Sequence, residues 1–520
     1  MAPDSCRARD GAADTLRRVN GRYRELRERL AEISDLGRAR ALLAWDERTM
    51  MPAGGAEIRA EQLATLARIR HERLASDELG SLLDQLRAPA EELAYDSDEA
   101  SMVRVATREW ERARRVPAEL RAAITRAASL AERAWIEARE GSDFEAFLPH
   151  LERNVELKRR YVECFDGFDH PYDPLLDDFE PEVTTAQARA VLGELREGVH
   201  PLVAAIAERA DEVDDSCLHG AFPIDAQRRL AGEIVAALPL EQGSWRLDTT
   251  VHPFATAITT TDIRLTTRYD DAYIGTALWS ALHESGHGIY ENGIDPALRR
   301  TPLCRPVSLG FHESQSRMWE NWVGRGRPYL SWLHPRLRAV FPERFARIDA
   351  EGLYRAANRV RPSLIRVEAD ELTYNLHVLL RFELELEIFE ERLALAALPE
   401  AWNARMKEYL GVDVPDDASG VLQDVHWAAG SFGYFPTYSF GNVIAGQIWA
   451  QAEEALPDLG TQLGRGELEP LRDWLRERLY RHGGKLTPAE MIERLTGGPL
   501  SVEPYLRHMR RKMGDIYALA

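Results

Sequence analysis

Three- and four-residue apolar spacing along most of the chain, one β-branched stretch near its middle, and the lack of any fixed-period repeat predict a mostly α protein with one small sheet. The elements follow in order. Met1 to Ala13 is small, polar and mixed in charge, and is expected to be a disordered tail, leaving 14–520 as one large helical domain. Leu16, Val19, Tyr23, Leu26, Leu30 and Ile33 then share one helix face, with Asp14 or Thr15 as the cap. Helical text runs on to about Arg139, with breaks expected near Pro52–Gly55 and at Pro89. Pro171, Pro174 and Pro181 mark Phe168 to Glu182 as a loop. Helices are expected from Thr184, as a cap, to Asp211 and from Asp225 to Leu238.

The text changes between Trp245 and Tyr269. Thr249-Thr250-Val251 and the run Thr259 to Thr267 are β-branched and alternate, which predicts one or two short strands. A helix is expected directly after them, over Tyr273 to Asn292. Pro296, Pro302 and Pro306 end that region, and a new helix begins near Ser308. From there the chain reads as helix to its end, interrupted at Gly411–Ser419 and Gly430–Pro436.

Composition narrows the function. Hydrophobic content of 45% and charged content of 29% are those of a soluble globular protein. With 66 basic against 85 acidic residues the net charge is −19, which argues against nucleic-acid binding. Cys6, Cys164, Cys217 and Cys304 are far apart and form no CxxC, as expected of free thiols in a reducing compartment. The N-terminus has no apolar targeting core, and no segment approaches 18 consecutive apolar residues, so a cytoplasmic protein without a membrane partner is expected.

The expected helix over Tyr273 to Asn292 carries His283-Glu284-Ser285-Gly286-His287, an H-E-x-x-H. Chance supplies that pattern only ~0.04 times in a chain of this size. Residues four apart share a helix face, so His283 and His287 are placed to hold one metal ion, and Glu284, about 100° round, to reach a water upon it. Ile274, Ala277, Leu278, Trp279, Ala281 and Leu282 are apolar, so the helix is expected to be buried. A His pair flanking a Glu in such a place needs a reason. Gly286 leaves room beside His287 for another chain or a ligand.

A catalytic zinc takes a third protein ligand and keeps a position for water. The helix from Ser308 offers His312 and Glu313, which point about 100° apart and cannot easily both face the metal. Glu313 is the choice, completing a His2Glu set. Its neighbours Leu309, Phe311, Met318, Trp319 and Trp322 bury that helix as well. Zinc lowers the pKa of a bound water, and Glu284 would take its proton and pass it to the leaving amine.

Further motifs stand in order along the chain: His252-Pro253-Phe254; Asp262-x-Arg264-x-Thr266; His312-Glu313-Ser314-Gln315; Ile365-Arg366-x-x-Ala369-Asp370; Gly420-x-x-Gln423-Asp424-x-His426-Trp427; and Gly433-Tyr434-Phe435-Pro436. Trp45-Asp46 through Met51-Pro52 to Arg59 belongs with them. With the H-E-x-x-H, this set resembles the carboxypeptidase Taq family of metallocarboxypeptidases through most of the chain, with no departure at a motif position. The resemblance implies an elongated, nearly all-helical body with a deep central groove between two lobes, like the neurolysin and angiotensin-converting-enzyme peptidases. It implies release of single C-terminal amino acids with broad specificity and poor action next to proline, a zinc ion that cobalt can replace, and a homodimer. It makes His283, His287 and Glu313 the ligands and Glu284 the base.

Other roles rest on physical argument. A terminal carboxylate suits a guanidinium fork, for which Arg366 and Arg264 are candidates. The competing role for Arg366 is an ion pair with Asp370 one turn on. His426 and Tyr434 or Tyr438 are candidate oxyanion donors. Asp370 or Asp424 would orient a ligand imidazole. His252 would line the groove or cap the strand. Trp427, Phe432, Phe435 and His377 are expected in the core. The alternative activity is an oligopeptidase or dipeptidyl carboxypeptidase on the same fold.

Overall fold

The computed structural model describes residues 4–519, with side chains from residue 19 onward. Of the tail expected over 1–13, residues 1–3 lie outside the described residues, and the first helix already runs from Asp4, ahead of the Asp14 or Thr15 cap expected for it. Among the described residues there are twenty-one α-helices, Asp4–Thr49 to Glu503–Tyr517, and one three-stranded sheet. The mostly α class with a small sheet is as expected.

The sheet has one strand more than the upper expectation: β1 Trp245–Thr249, β2 Ala255–Thr259 and β3 Asp262–Thr267. A turn is hidden inside the threonine run, where the Thr261 N–H donates to the Thr259 hydroxyl at 3.0 Å. β3 is central, parallel to β1 and antiparallel to β2, with Trp245 opposite Ile263 and Ala255 opposite Leu265. Two motifs meet here. The Thr266 hydroxyl accepts from the Phe254 N–H and donates to the Phe254 carbonyl, both at 2.7 Å. The His-Pro-Phe turn is thereby stitched to β3.

The H-E-x-x-H helix spans Gly275–Gly293 and lies on this sheet, with Ile263 and Leu265 of β3 against Gly288. Strand alternation sends Arg264 to the opposite face. The next helix, Leu309–Arg317, starts where expected: the Ser308 hydroxyl accepts from the Phe311 N–H at 3.1 Å. Phe311, Met318 and Trp319 are wholly buried. Each such burial is worth about 1.5–3 kcal/mol, so the segment is fixed by its own apolar residues.

Other boundaries differ from expectation. Pro89 lies in the last turn of the helix Asp77–Glu91, where it removes one intrahelical hydrogen bond, and the break comes just after. Leu309–Arg317 continues as a π-helical turn, Met318–Gly324. The stretch read as continuous helix also opens between Ala357 and Tyr374, around the short 3₁₀ turn Arg366–Glu368; Pro362 is the local signal.

Candidate active site

Close helix approach builds the site. A Cβ on Gly286 would stand 2.5 Å from the Gln315 carbonyl oxygen, so the glycine lets the Leu309–Arg317 helix touch the H-E-x-x-H helix backbone. From the other side, a Cβ on Gly441 would stand 2.6 Å from Glu313 Cγ. Gly441 belongs to the helix Pro436–Ala455. Glu313 is thus pressed toward the histidines by a helix on either side.

His283 Nε2 and His287 Nε2 each lie 3.6 Å from Glu313 Oε2. One ligand atom of each residue falls within 4.8 Å of the others. Ligands at 2.0–2.1 Å around a tetrahedral ion stand ~3.3 Å apart, so the three fit a metal such as zinc with little movement. The outer nitrogens are already oriented. His283 Nδ1 meets Glu320 Oε2 at 2.9 Å, and His287 Nδ1 meets the His312 carbonyl at 3.1 Å. That leaves both Nε2 atoms facing Glu313.

Charge is arranged around these groups. Burial opposes protonation of His283, but Glu313 and Glu320 outweigh it and hold its pKa above the ordinary value. Burial and the neighbouring His312 and His283 push His287 well below. Burial brings His312 down to about 4. Burial also works against Glu320, yet His283, Arg325 and Arg317 lower it to about 2. Arg317 Nε donates to Glu313 Oε1 at 2.7 Å, and the Ser316 hydroxyl donates to Oε2 at 3.0 Å. Glu284 differs: burial raises its carboxyl to about 7, with the His283 charge opposing. That is a value suited to exchanging protons at neutral pH.

The Gly430–Pro436 region supplies the opposite wall. His426 Nε2 and the Tyr438 hydroxyl are 3.1 Å apart, and the His426 ring packs on Phe435 at 4.5 Å. Burial lowers His426 to about 3, so it is neutral. Burial and then the charge of Glu313 raise Tyr434 to about 12. Tyr438 is raised well above its ordinary value, by burial and then by Tyr434, so both phenols keep their protons near the Glu313 carboxylate.

Arg366 is 4% exposed and heavily engaged. It donates from Nε and Nη2 to Asp424 Oδ1 at 3.1 and 2.7 Å and from Nη1 to the Tyr374 hydroxyl at 2.8 Å. Its ion-pair partner is Asp424, not Asp370. Asp370 instead accepts from the N–H groups of Arg361, Leu372 and Thr373. Asp424 binds Arg366 and Arg381 and stands 3.8 Å from His426 Nδ1, so neither aspartate reaches a ligand histidine. Arg264 is not brought to the ligands: it pairs with Asp262 and lies over the Trp45 ring at 4.7 Å. His252 is exposed in the β1–β2 turn. Trp427, Phe432, Phe435 and His377 are in the core as expected.

Glu320, the partner of His283, escaped the sequence reading. It stands seven residues beyond Glu313, a spacing that an unbroken α-helix would put on the same face and the one signal the sequence offered for it. The fold and this His2Glu cluster agree with the motif order. A family model described as "Carboxypeptidase Taq (M32) metallopeptidase" matches residues 25–513.

The chain belongs to the carboxypeptidase Taq (M32) family.

M32 relatives cover it almost end to end. Thermostable carboxypeptidase 1 of Thermus thermophilus is 41% identical over 506 residues, 95% of this chain and 99% of that protein. Carboxypeptidase 1 of Bacillus subtilis is 38% identical over 496 residues, again 95% and 99%. The crystal structure of the M32 carboxypeptidase from Deinococcus radiodurans R1 superposes with a TM-score of 0.93 at 40% identity, covering 96% of this chain and 100% of that one. The protein is a metal-dependent carboxypeptidase, a peptide hydrolase. No helix among the described residues is long and apolar enough to cross a membrane.

Proposed function

We propose that this M32 enzyme releases single C-terminal amino acids from peptides with broad specificity, at a zinc ion held by His283, His287 and Glu313. The observation that carries this reading is the placement of Glu313 Oε2 equidistant from the two Nε2 atoms, with Glu284 buried beside them. The ion, which cobalt can replace, supplies Lewis-acid chemistry to a water and to the scissile carbonyl. Glu284 accepts the proton of the attacking water and hands it to the leaving amine. Its raised pKa lets it do both near neutrality. Tyr438 or Tyr434 donates to the developing oxyanion, and His426 either donates as well or holds Tyr438 in place.

Arg366 recognises the terminal carboxylate with the guanidinium hydrogens left over from Asp424 and Tyr374. His252 lines the peptide groove from the β1–β2 turn. Arg264 shapes the same wall from behind by holding β3 to Trp45. Two lobes of one 14–520 domain flank the groove, and the protein is a cytoplasmic homodimer acting on peptides, without nucleic-acid or membrane partners. The test is mass spectrometry of an N-terminally blocked peptide over time. A ladder losing one C-terminal residue per step is expected. Internal cuts or dipeptide products would overturn the reading in favour of an oligopeptidase or dipeptidyl carboxypeptidase.

A further inference from the structure

We infer that Glu385 is a positioning residue for the reaction, which holds His426 and Tyr434 at one spacing by tethering both ends of the loop between them. The inference rests on the proposed role of those two residues at the oxyanion and names the group that sets their geometry.

The loop leads from His426 into the helix Pro436–Ala455, and its own backbone bonds are short-range turns, such as the Ser431 N–H to the His426 carbonyl at 2.8 Å. Side chains of two other helices hold it. From the helix Phe144–Val162, the Asn154 amide donates to the Trp427 and Ala428 carbonyls at 3.0 and 2.8 Å. From the helix Tyr374–Phe389, Glu385 accepts at Oε1 from the Trp427 indole N–H at 2.8 Å and at Oε2 from the Gly433 backbone N–H at 3.0 Å. Trp427 follows His426 and Gly433 precedes Tyr434. One carboxylate therefore grips the loop next to each member of the pair. The Tyr172 hydroxyl donates to Oε2 as well, at 2.5 Å, and fixes the carboxylate itself.

The pair so tethered stands beside a metal ligand. The His426 and Tyr434 rings are 5.3 Å apart. Tyr434 packs on Phe179 at 5.1 Å, and the Phe179 carbonyl accepts from the Leu309 N–H at the head of the Glu313 helix. The helix that follows the loop brings Gly441 against Glu313.

The choice of a carboxylate is the telling feature. Glu385 is wholly buried, and its three hydrogen-bond partners are neutral. Burial lifts its carboxyl to about 7, against the bonds from Tyr172, Gly433 and Trp427 and the charge of Lys158. For stability alone, an apolar side chain would fill the place with less desolvation. What the carboxylate offers is two acceptor oxygens, one for each end of the loop. Gly433 is shaped to reach it: its φ is 91°, and a Cβ there would stand 2.4 Å from the Leu175 carbonyl oxygen. An oxyanion donor works when it is in place before charge develops, and a misplacement of about 1 Å costs up to about 100-fold. On a loop, that precision comes from buried supporting bonds.

The test is Glu385→Gln in the metal-loaded enzyme. Glutamine keeps the shape but has one acceptor oxygen, so either Trp427 or Gly433 meets an N–H where it had an acceptor. The kcat should fall about tenfold, with KM within about twofold and metal content unchanged. Trp427→Phe, which removes one tether and leaves Glu385, should lose part of that amount. In a His426→Ala/Tyr434→Phe background, Glu385→Gln should cost nothing further, because the residues through which it acts are gone. An unchanged kcat in the single variant, or an equal loss in both backgrounds, would overturn the role. Should Glu385→Gln fail to fold, Trp427→Phe in the same two backgrounds decides the question in the same way. If His426→Ala/Tyr434→Phe by itself leaves kcat intact, it is the oxyanion reading of those residues that falls, and the tether has nothing to position.

Discussion

The Glu284 carboxyl feels His283 and the carboxylates of Glu313 and Glu320, and burial lifts it to about 7. His283 and His287, by contrast, are tethered through their outer nitrogens. This division separates holding from reacting. Glu284→Gln should keep the metal, because the amide replaces no ligand, and lose about 10²–10⁴-fold in kcat. Elemental analysis beside a turnover assay checks it, and loss of metal would make Glu284 a ligand. Glu320→Gln tests the tether. It keeps an acceptor for His283 but removes the charge, so metal affinity should fall about 10–100-fold, read by competition with a chelator. The His283, His287 and Glu313 cluster was legible in the sequence because its members lie on two helices of regular period, the second capped by Ser308. Glu320 was harder to see, since a π turn intervenes, and the pairing of Arg366 with Asp424 joins residues too distant in the chain for local spacing to show.

Packing of three elements determines how well the ligands converge. The Leu309–Arg317 helix is gripped between the Gly275–Gly293 and Pro436–Ala455 helices, with Gly286 and Gly441 at the contacts. Gly441→Ala should cost about 1–3 kcal/mol by overpacking and also shift Glu313. Thermal unfolding with and without metal should show a lower Tm and a smaller metal-induced rise. The start of the same helix carries a second device. Glu180, 1% exposed, accepts from the Gly310 N–H, and burial raises its pKa to about 8 against the hydrogen bonds from Ser308 and Gly310. Because the folded value lies above the unfolded one, this group's contribution is full below about pH 4 and is lost as pH rises through about 8. Glu180→Gln should therefore lose less Tm than the parent between pH 5 and pH 9, and an equal loss would exclude Glu180 as the source. Gly286 stands out inside the H-E-x-x-H as a point of close approach, but Gly441 and Glu180 do not, because their roles arise only when helices meet. Helix caps such as Ser308 do stand out, since their partners lie three residues away. The threonine run misled for a related reason: a hairpin turn made of strand-favouring residues carries no Gly or Pro to mark it.

At the scale of the whole molecule, an α-helical body brings a metal cluster from its middle third against a His-Tyr wall from its last third. The motif order made that meeting foreseeable, whereas the bare H-E-x-x-H spoke only of hydrolysis. In the proposed mechanism, the metal and Glu284 explain why a peptide bond breaks. The Arg366, Tyr438 and His426 wall has to explain why it is the last one. The most direct test follows a peptide and its C-terminal amide side by side with the metal-loaded enzyme. The account predicts stepwise single-residue release from the free acid and at least a tenfold slower reaction of the amide, the loss expected when a charged hydrogen-bonding partner is removed. Equal rates on the two, with the same product, would contradict it.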